Sequence, residues 1–198
     1  MSKPNRYIAS LVDAGLKRSL KENGYKKQSF TFRQFNTDHI KVVNVQGSPW
    51  NSRDETKFTI NLGVYFPGAI KFHDRVTVKE KPYEYDCLVH QRIGFLMPVK
   101  RDFWWSIVDK TDIAKLSNET IDVWRKYGQP WLKRYSDLNN ARDFFMENGY
   151  NFPFLAAVFS LALSDKFKAA EYLKLAILQS SEDSKRFTEF AKKHNIVL

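Results

Sequence analysis

Residues 57–65, Lys57-Phe-Thr-Ile-Asn-Leu-Gly-Val-Tyr65, alternate with a period of two. Phe58, Ile60, Leu62 and Val64 fall on one side and Thr59, Asn61, Gly63 and Tyr65 on the other, which is the pattern of a half-buried antiparallel strand. Upstream, Lys41-Val-Val-Asn-Val-Gln46 sorts as Lys41, Val43 and Val45 against Val42, Asn44 and Gln46, and supplies the partner strand. One face of this pair must rest on something apolar. With Phe58, Ile60, Leu62 and Val64 turned inward, Asn61 and Gly63 look away from that core. Pro67-Gly68 fits a turn closing the second strand, because proline presets φ at the second turn position and glycine tolerates the third.

The cover for the apolar face is predicted from the residues before the hairpin. Ile8, Leu11, Val12, Leu16 and Leu20 recur at helical spacing, Pro4 suits the first turn, and Asn23-Gly24 suits a left-handed stop. Phe30-Thr-Phe-Arg-Gln-Phe35 reads as another strand, with Phe30 and Phe32 opposite Thr31 and Arg33, and Asn36-Thr-Asp38 turns it into the next. Gly47-Ser-Pro-Trp-Asn-Ser52 sets an indole in a loop. Trp50 either folds back as a lid on the sheet edge, the stronger reading, or contacts a partner.

Residues 66–86 are weakly patterned and read as a mobile insertion, with at most one short strand at Arg75-Val-Thr-Val-Lys79. From Cys87 to Leu96 alternation returns, with Val89, Gln91, Ile93 and Phe95 opposite Leu88, His90, Arg92 and Gly94. Trp104 and Trp105 are neighbours in a strand and so point opposite ways, one into the core and the other toward a domain junction or a ligand.

Beyond Ser117 the period becomes helical. Ser117 is predicted to cap a helix carrying Ile121 and Trp124, which Gly128 ends and Pro130 restarts. Further helices are expected at 138–147, stopped by Asn148-Gly149, and at 153–163, 166–179 and 182–194, with Ser164-Asp165 and Ser180-Ser181 as caps. The fold class is therefore α+β: an antiparallel β-sheet with an N-terminal helix on one face, followed by an all-α C-terminal portion. Residues 1–116 form the sheet domain and 117–198 the helical portion packed on it, or the two make one continuous domain.

At 198 residues, with 43% hydrophobic and 15% aromatic side chains, the chain is neither disordered nor dependent on covalent staples. Its one cysteine, Cys87, can form no intramolecular disulfide, no charged-apolar-small signal opens the chain, and no run reaches the roughly 18 apolar residues that span a bilayer. A cytoplasmic protein without a transmembrane segment is expected. A net charge of +10 asks for an acidic partner. The basic residues, however, come in scattered pairs such as Lys26-Lys27, Lys100-Arg101 and Lys192-Lys193, the habit of a solvated surface.

Alternation places Arg33, Asn44, Gln46, Asn61, His90 and Arg92 on the sheet face away from the first helix. With Gly63 and Gly94 removing bulk, this would be an anion-friendly surface with room for a planar ligand. The ordinary alternatives are a solvated face with bonded cross-strand pairs, or a polar network under the C-terminal helices. Cys87-Leu-Val-His90 has half the spacing of a zinc site but no second cysteine, and His39, His73 and His194 are scattered, so no metal is expected. Cys87 and His90 also face opposite ways, which disfavours a thiol-imidazole pair and leaves Cys87 as a small buried hydrophobe. No phosphate-cradling glycine loop, nucleophile elbow or His-Glu-x-x-His helix occurs. Neither catalytic residues nor a cofactor are assigned.

The order of helix, Gly24-Tyr25-Lys26-Lys27, Phe30-Thr-Phe-Arg33, Val43-Asn-Val-Gln46, Phe58 to Tyr65, Cys87 to His90, Arg92-Ile-Gly94 and Trp104-Trp105 resembles the bacterial domain of unknown function family 4304, over roughly residues 8–135. The resemblance implies a compact α+β domain, no established enzyme activity and no catalytic residues to carry over. Ala156-Ala157, Leu161 to Asp165, Phe167 to Leu173 and Ala176-Ile177 look like one tetratricopeptide-type helical hairpin, without a second copy. The expected function is a non-enzymatic interaction module whose polar sheet face and Trp50 contact an acidic protein. Nucleic-acid binding or processing through the basic surface is the alternative, and a small-molecule enzyme using His90 and Arg92 a third.

Overall fold

The computed structural model of the chain describes residues 2–147, 149–180 and 182–198. Two compact units emerge: Met1–Tyr65 with Lys81–Lys133, and Phe66–Glu80 with Arg134–Leu198.

The first unit opens with α1 (Lys3–Leu11), capped by Ser2, whose Oγ accepts from the Asn5 N–H. A π turn (Val12–Leu16) carries it into α2 (Lys17–Glu22), and Gly24, at φ 80°, ends the run. Ile8, Leu11, Val12, Leu16 and Leu20 make one buried stripe along it. The sheet follows as β1 (Lys26–Gln28), β2 (Thr31–Phe35), β3 (Ile40–Gly47) and β4 (Thr56–Tyr65). After the excursion that holds α3 (Pro67–Ile70), the chain returns with β5 (Val89–Arg92) and β6 (Trp105–Ile107). All pairings are antiparallel in the order β1-β2-β3-β4-β5, and β4 also holds β6 along its first residues. This is the α+β arrangement expected: a six-stranded antiparallel sheet, an N-terminal helix and a helical C-terminal portion.

α1 packs on β3 and β4, and Ile8 sits so close to Gly47 that a methyl group there would lie 2.9 Å from its Cδ1. Gly47 pairs with Phe58, so the helix covers the face of Phe58, Ile60, Leu62 and Val64, each fully buried. Burial of four such side chains contributes on the order of 6–12 kcal/mol, at about 1.5–3 kcal/mol each.

Several boundaries differ from the sequence reading. Pro67 opens α3 at its first turn, a position where a missing N–H is harmless, and does not sit in a strand-closing turn. Residues 75–79 form no strand. β5 stops at Arg92, and Ile93–Phe95 form a 3-10 turn that takes Gly94 out of the sheet. α4 (Ile113–Val123) begins four residues before Ser117, because Asp112 is the cap and accepts from the Lys115 N–H. Ser117 is instead buried, and its Oγ donates to the Leu11 carbonyl at 3.2 Å, beside the π turn. Gly128 and Pro130 do not interrupt the helix either, since a second π turn (Trp124–Gly128) runs into α5 (Gln129–Arg134). α4 packs on α1 and its π turn. The first unit extends to Lys133.

In the second unit α6 (Leu138–Asp143), a 3-10 turn (Phe144–Met146), α7 (Pro153–Ala162), α8 (Lys166–Gln179) and α9 (Ser184–Lys193) accompany α3. Asp165 caps α8, and the Ser180 Oγ accepts from the Asp183 N–H ahead of α9. The expected stop at Asn148 and cap at Ser181 lie outside the described residues; Gly149 has φ 83°. α7 is buried almost all round, which is why its sequence reads as a continuous apolar run, and α8 turns Ala169, Leu173 and Ala176 onto it. Phe154 stacks on Phe187 at 4.9 Å, and Arg186 makes two 2.7 Å bonds to Asp74. No helix among the described residues is long and apolar enough to cross a membrane.

A methyl group on Gly63 would lie 2.7 Å from the Cys87 Sγ and 2.9 Å from its Cβ. Gly63→Ala should therefore destabilise the protein by about 1–3 kcal/mol, the cost of overpacking a filled site. A urea titration showing an unchanged midpoint would refute this close approach.

Candidate functional site

Register puts Arg33, Asn44, Gln46, Asn61, His90 and Arg92 on one face of the sheet. Asn44 stands opposite Asn61 and Asn61 opposite Arg92, while Val42 faces both Arg33 and Gly63, which in turn faces His90. α1 lies on the other side.

Two segments roof this polar face. Residues 81–87 cross it as a strap: the Pro82 carbonyl accepts from Arg33 Nε at 2.6 Å, and the Tyr83 ring lies 4.9 Å over the guanidinium. The Cys87 side chain of the same strap rests against Gly63. Residues 102–104 form the second cover. There the Phe103 carbonyl accepts from Thr59 Oγ1, Asp102 pairs with Arg92 at 2.6 Å, and Trp104 lies 5.0 Å over the same guanidinium. Arg33 is consequently 2% exposed and Asn61 8%. Asn44, Gln46 and Arg92 are half-buried, and His90 is exposed. Trp105, the inward neighbour of Trp104, is buried against Phe58 and donates its indole N–H to Glu119.

Beneath the roof the polar groups bond mainly to one another. Asn61 Nδ2 donates to Gln46 Oε1 at 2.7 Å, Arg92 Nε donates to Asn61 Oδ1 at 3.1 Å, and Asn44 Nδ2 donates to Thr31 Oγ1 at 2.9 Å. His90 Nδ1 lies 2.7 Å from the Cys87 carbonyl, which can only accept. Two polar atoms of this face are left over: Arg33 NH2 and Glu84 Oε2 are buried without a partner among the described residues. Burial drives the Glu84 carboxyl above the usual carboxylate range, against the opposing bond from Asn61. Burial likewise pushes the Cys87 thiol far up, with Asp86 and Glu84 adding to the effect and Arg33 opposing it, so the thiolate that nucleophilic chemistry needs is disfavoured. The Asp102 carboxyl feels some desolvation, yet the bonds from Arg92 and Trp104 hold it below its ordinary value. Among the described residues no group of three or more His, Cys, Asp or Glu could hold a metal ion.

Trp50 takes no part in this network. It is 90% exposed, so it does not fold back as a lid on the sheet edge. Its loop is nevertheless braced. Asn51 Nδ2 donates to the Lys57 carbonyl at 3.0 Å while its Oδ1 accepts from the Lys57 N–H at 2.6 Å, and Ser48 Oγ accepts from the Trp50 N–H at 3.1 Å. Beside the loop lies an open cavity of about 1010 Å³, walled by Ser2–Arg6 on one side and by Gly47–Pro49 and Asn51–Arg53 on the other. Among the described residues three cations, Lys3, Arg6 and Arg53, line it and no acid does. Lys3 pairs with Asp109 at 3.1 Å, whereas Arg6 and Arg53 enter no ion pair among the described residues. Sequence reasoning singled out Trp50 but missed Arg6 and Arg53. They come from segments more than forty residues apart, joined only when α1 docks beside the β3–β4 loop.

Residues 16–134 match the family model described as Domain of unknown function (DUF4304). The chain belongs to this family. The matched span takes in all six strands of the DUF4304 domain and ends with α5, so Trp50, Arg53 and every residue of the polar face lie inside it while Arg6 lies outside. No curated protein and no solved structure matches the chain.

The Glu84 carboxyl gives a signed pH prediction. Its folded-state pKa is raised, so its contribution to stability is full below the unfolded value and is lost as pH rises through the folded one. Glu84→Gln should match the parent in thermal stability below pH 4.5 and exceed it increasingly above. Thermal melts that show the variant less stable at pH 7 would mean that the ionised carboxylate is held by the strap.

Proposed function

We propose that this DUF4304 chain is a non-enzymatic binding module for an anionic macromolecule, and that its contact surface is the Trp50 loop with the cationic cavity beside it. The observation that carries this reading is an exposed indole on a braced loop next to two guanidinium groups that enter no ion pair among the described residues. Tryptophan and arginine supply much of the energy of macromolecular interfaces, and a rigid loop loses little conformational freedom on binding. Most of the net charge of +10 falls in the first unit, the one that carries this surface. That charge favours encounter with an anion.

The polar sheet face is assigned a supporting part. Arg33 and Asn61 lie under the roof, and Arg92 is held by Asp102, Asn61 and Gln46, so these groups have few donors left for a ligand. Asn44, Gln46 and His90 at its open margin would add contacts for an acidic protein surface. The same bonding weakens an enzyme reading built on His90 and Arg92.

Anisotropy titrations at low salt with two fluorescent anions, poly-L-glutamate and a twelve-nucleotide thymidine strand, test the proposal. At least one should bind, and Trp50→Ala should weaken it roughly ten-fold or more while leaving the thermal midpoint unchanged. Arg92→Ala should instead lower the midpoint, because it removes the guanidinium bonds to Asp102 and Asn61. Binding by neither anion, or binding indifferent to Trp50, sinks the reading.

A further inference from the structure

We infer that the anion this surface takes is a single-stranded nucleic acid, with an unpaired base stacked on Trp50 and its neighbouring phosphates seated on Arg6 and Arg53. The inference rests on the binding-module reading and narrows it to one class of partner.

Three features favour a polynucleotide over an acidic protein. The first is the lining of the cavity. Among the described residues, every wall residue apart from Pro4, Pro49 and Gly47 brings a hydroxyl, an amide or a cation, and none brings a large apolar side chain. A protein segment held by such a wall would lack the apolar anchor that dominates protein interfaces, since the large exposed apolar group of this loop, Trp50, stands outside the cavity. A sugar-phosphate strand needs no such anchor. Its phosphate oxygens match guanidinium forks, and its hydroxyls match Ser2, Asn5, Ser48 and Ser52.

The second feature is the indole itself. At 90% exposure it has almost no protein neighbour, yet the Asn51 clasp and the Ser48 bond fix the backbone that carries it. A flat π-surface held ready in water beside cationic side chains is the geometry by which proteins take single strands, where any base can stack. A duplex keeps its bases paired and offers no such face, so single strands are selected.

Capacity is the third feature. About 1010 Å³ of open space far exceeds the need of one carboxylate and lies at the upper end of small-molecule sites. It accommodates a nucleotide with adjoining phosphates. DNA and RNA share this chemistry, since stacking and phosphate contacts are common to both, and the test separates the two.

The test uses the full chain and fluorescein-labelled probes in anisotropy titrations: a twelve-nucleotide thymidine strand, the matching uridine strand, a duplex of equal length, and poly-L-glutamate. The single strands should bind more tightly than the duplex and the polypeptide. The logarithm of affinity should fall with the logarithm of salt at a slope of about −1.4, one phosphate for each of Arg6 and Arg53. Arg6→Ala or Arg53→Ala should halve that slope, and Trp50→Ala should weaken binding roughly ten-fold while Trp50→Phe keeps most of it. All three side chains are exposed, so thermal midpoints should not move. Trp50-dependent binding of poly-L-glutamate without binding of either strand would overturn this inference and leave the module reading standing. Equal affinity for duplex and single strand, or a salt slope untouched by both arginine variants, would also overturn it. If no probe depends on Trp50, both fall.

Discussion

The register of β3 on β4 is the constraint from which the rest of the first unit follows. Ile40 stands opposite Tyr65 and Gly47 opposite Phe58, so Val43, Val45, Ile60 and Leu62 share one face while Asn44, Gln46, Asn61 and Thr59 share the other. A slip by one residue would exchange the two sets completely. It would leave the stripe of α1 resting on amides and turn four hydrophobic side chains to the polar side. Gly47 at the end of β3 lets Ile8 approach, and Gly63 lets the strap settle on the opposite face.

That opposite face shows what a sheet does with polar side chains it cannot leave wet. Thr31, Arg33, Thr59 and Asn61 are all buried there, and buried polar groups are costly unless bonded. Residues 81–87 and 102–104 supply the bonds: a backbone carbonyl for Arg33, another for Thr59, a carboxylate for Arg92. The satisfaction is incomplete. Arg33 NH2 and Glu84 Oε2 remain without partners among the described residues, and burial raises the titration of the Glu84 carboxyl. A face that looks like a ligand surface in sequence is thereby occupied largely by its own chain, and the groups still open to a partner lie at its margin and on the Trp50 loop.

Much of this was legible in the letters. The alternation of residues 57–65 fixed which side chains share a face, the spacing of Ile8 to Leu20 identified the helix that covers the apolar one, and the asymmetry of Trp104 and Trp105 followed from adjacency in a strand. Local chemistry misled where two signals competed. Ser117 looked like a cap but is a buried donor to Leu11, and Gly128 with Pro130 looked like a break but sits at a π turn. A π turn inserts one residue into the helical period, and nothing in residue propensity announces it.

The sequence by itself determined the class of fold, the faces of the strands and the helix, and the excess of positive charge, because each depends on periodicity or composition alone. Tertiary structure decided which polar residues are covered and which stay open. The strap over Arg33, the pairing of Arg92 with Asp102, and the meeting of Arg6 with Arg53 beside Trp50 all join segments distant in the chain. Only the packed backbone sets how near such segments come, and solvent access to a charge depends on that nearness.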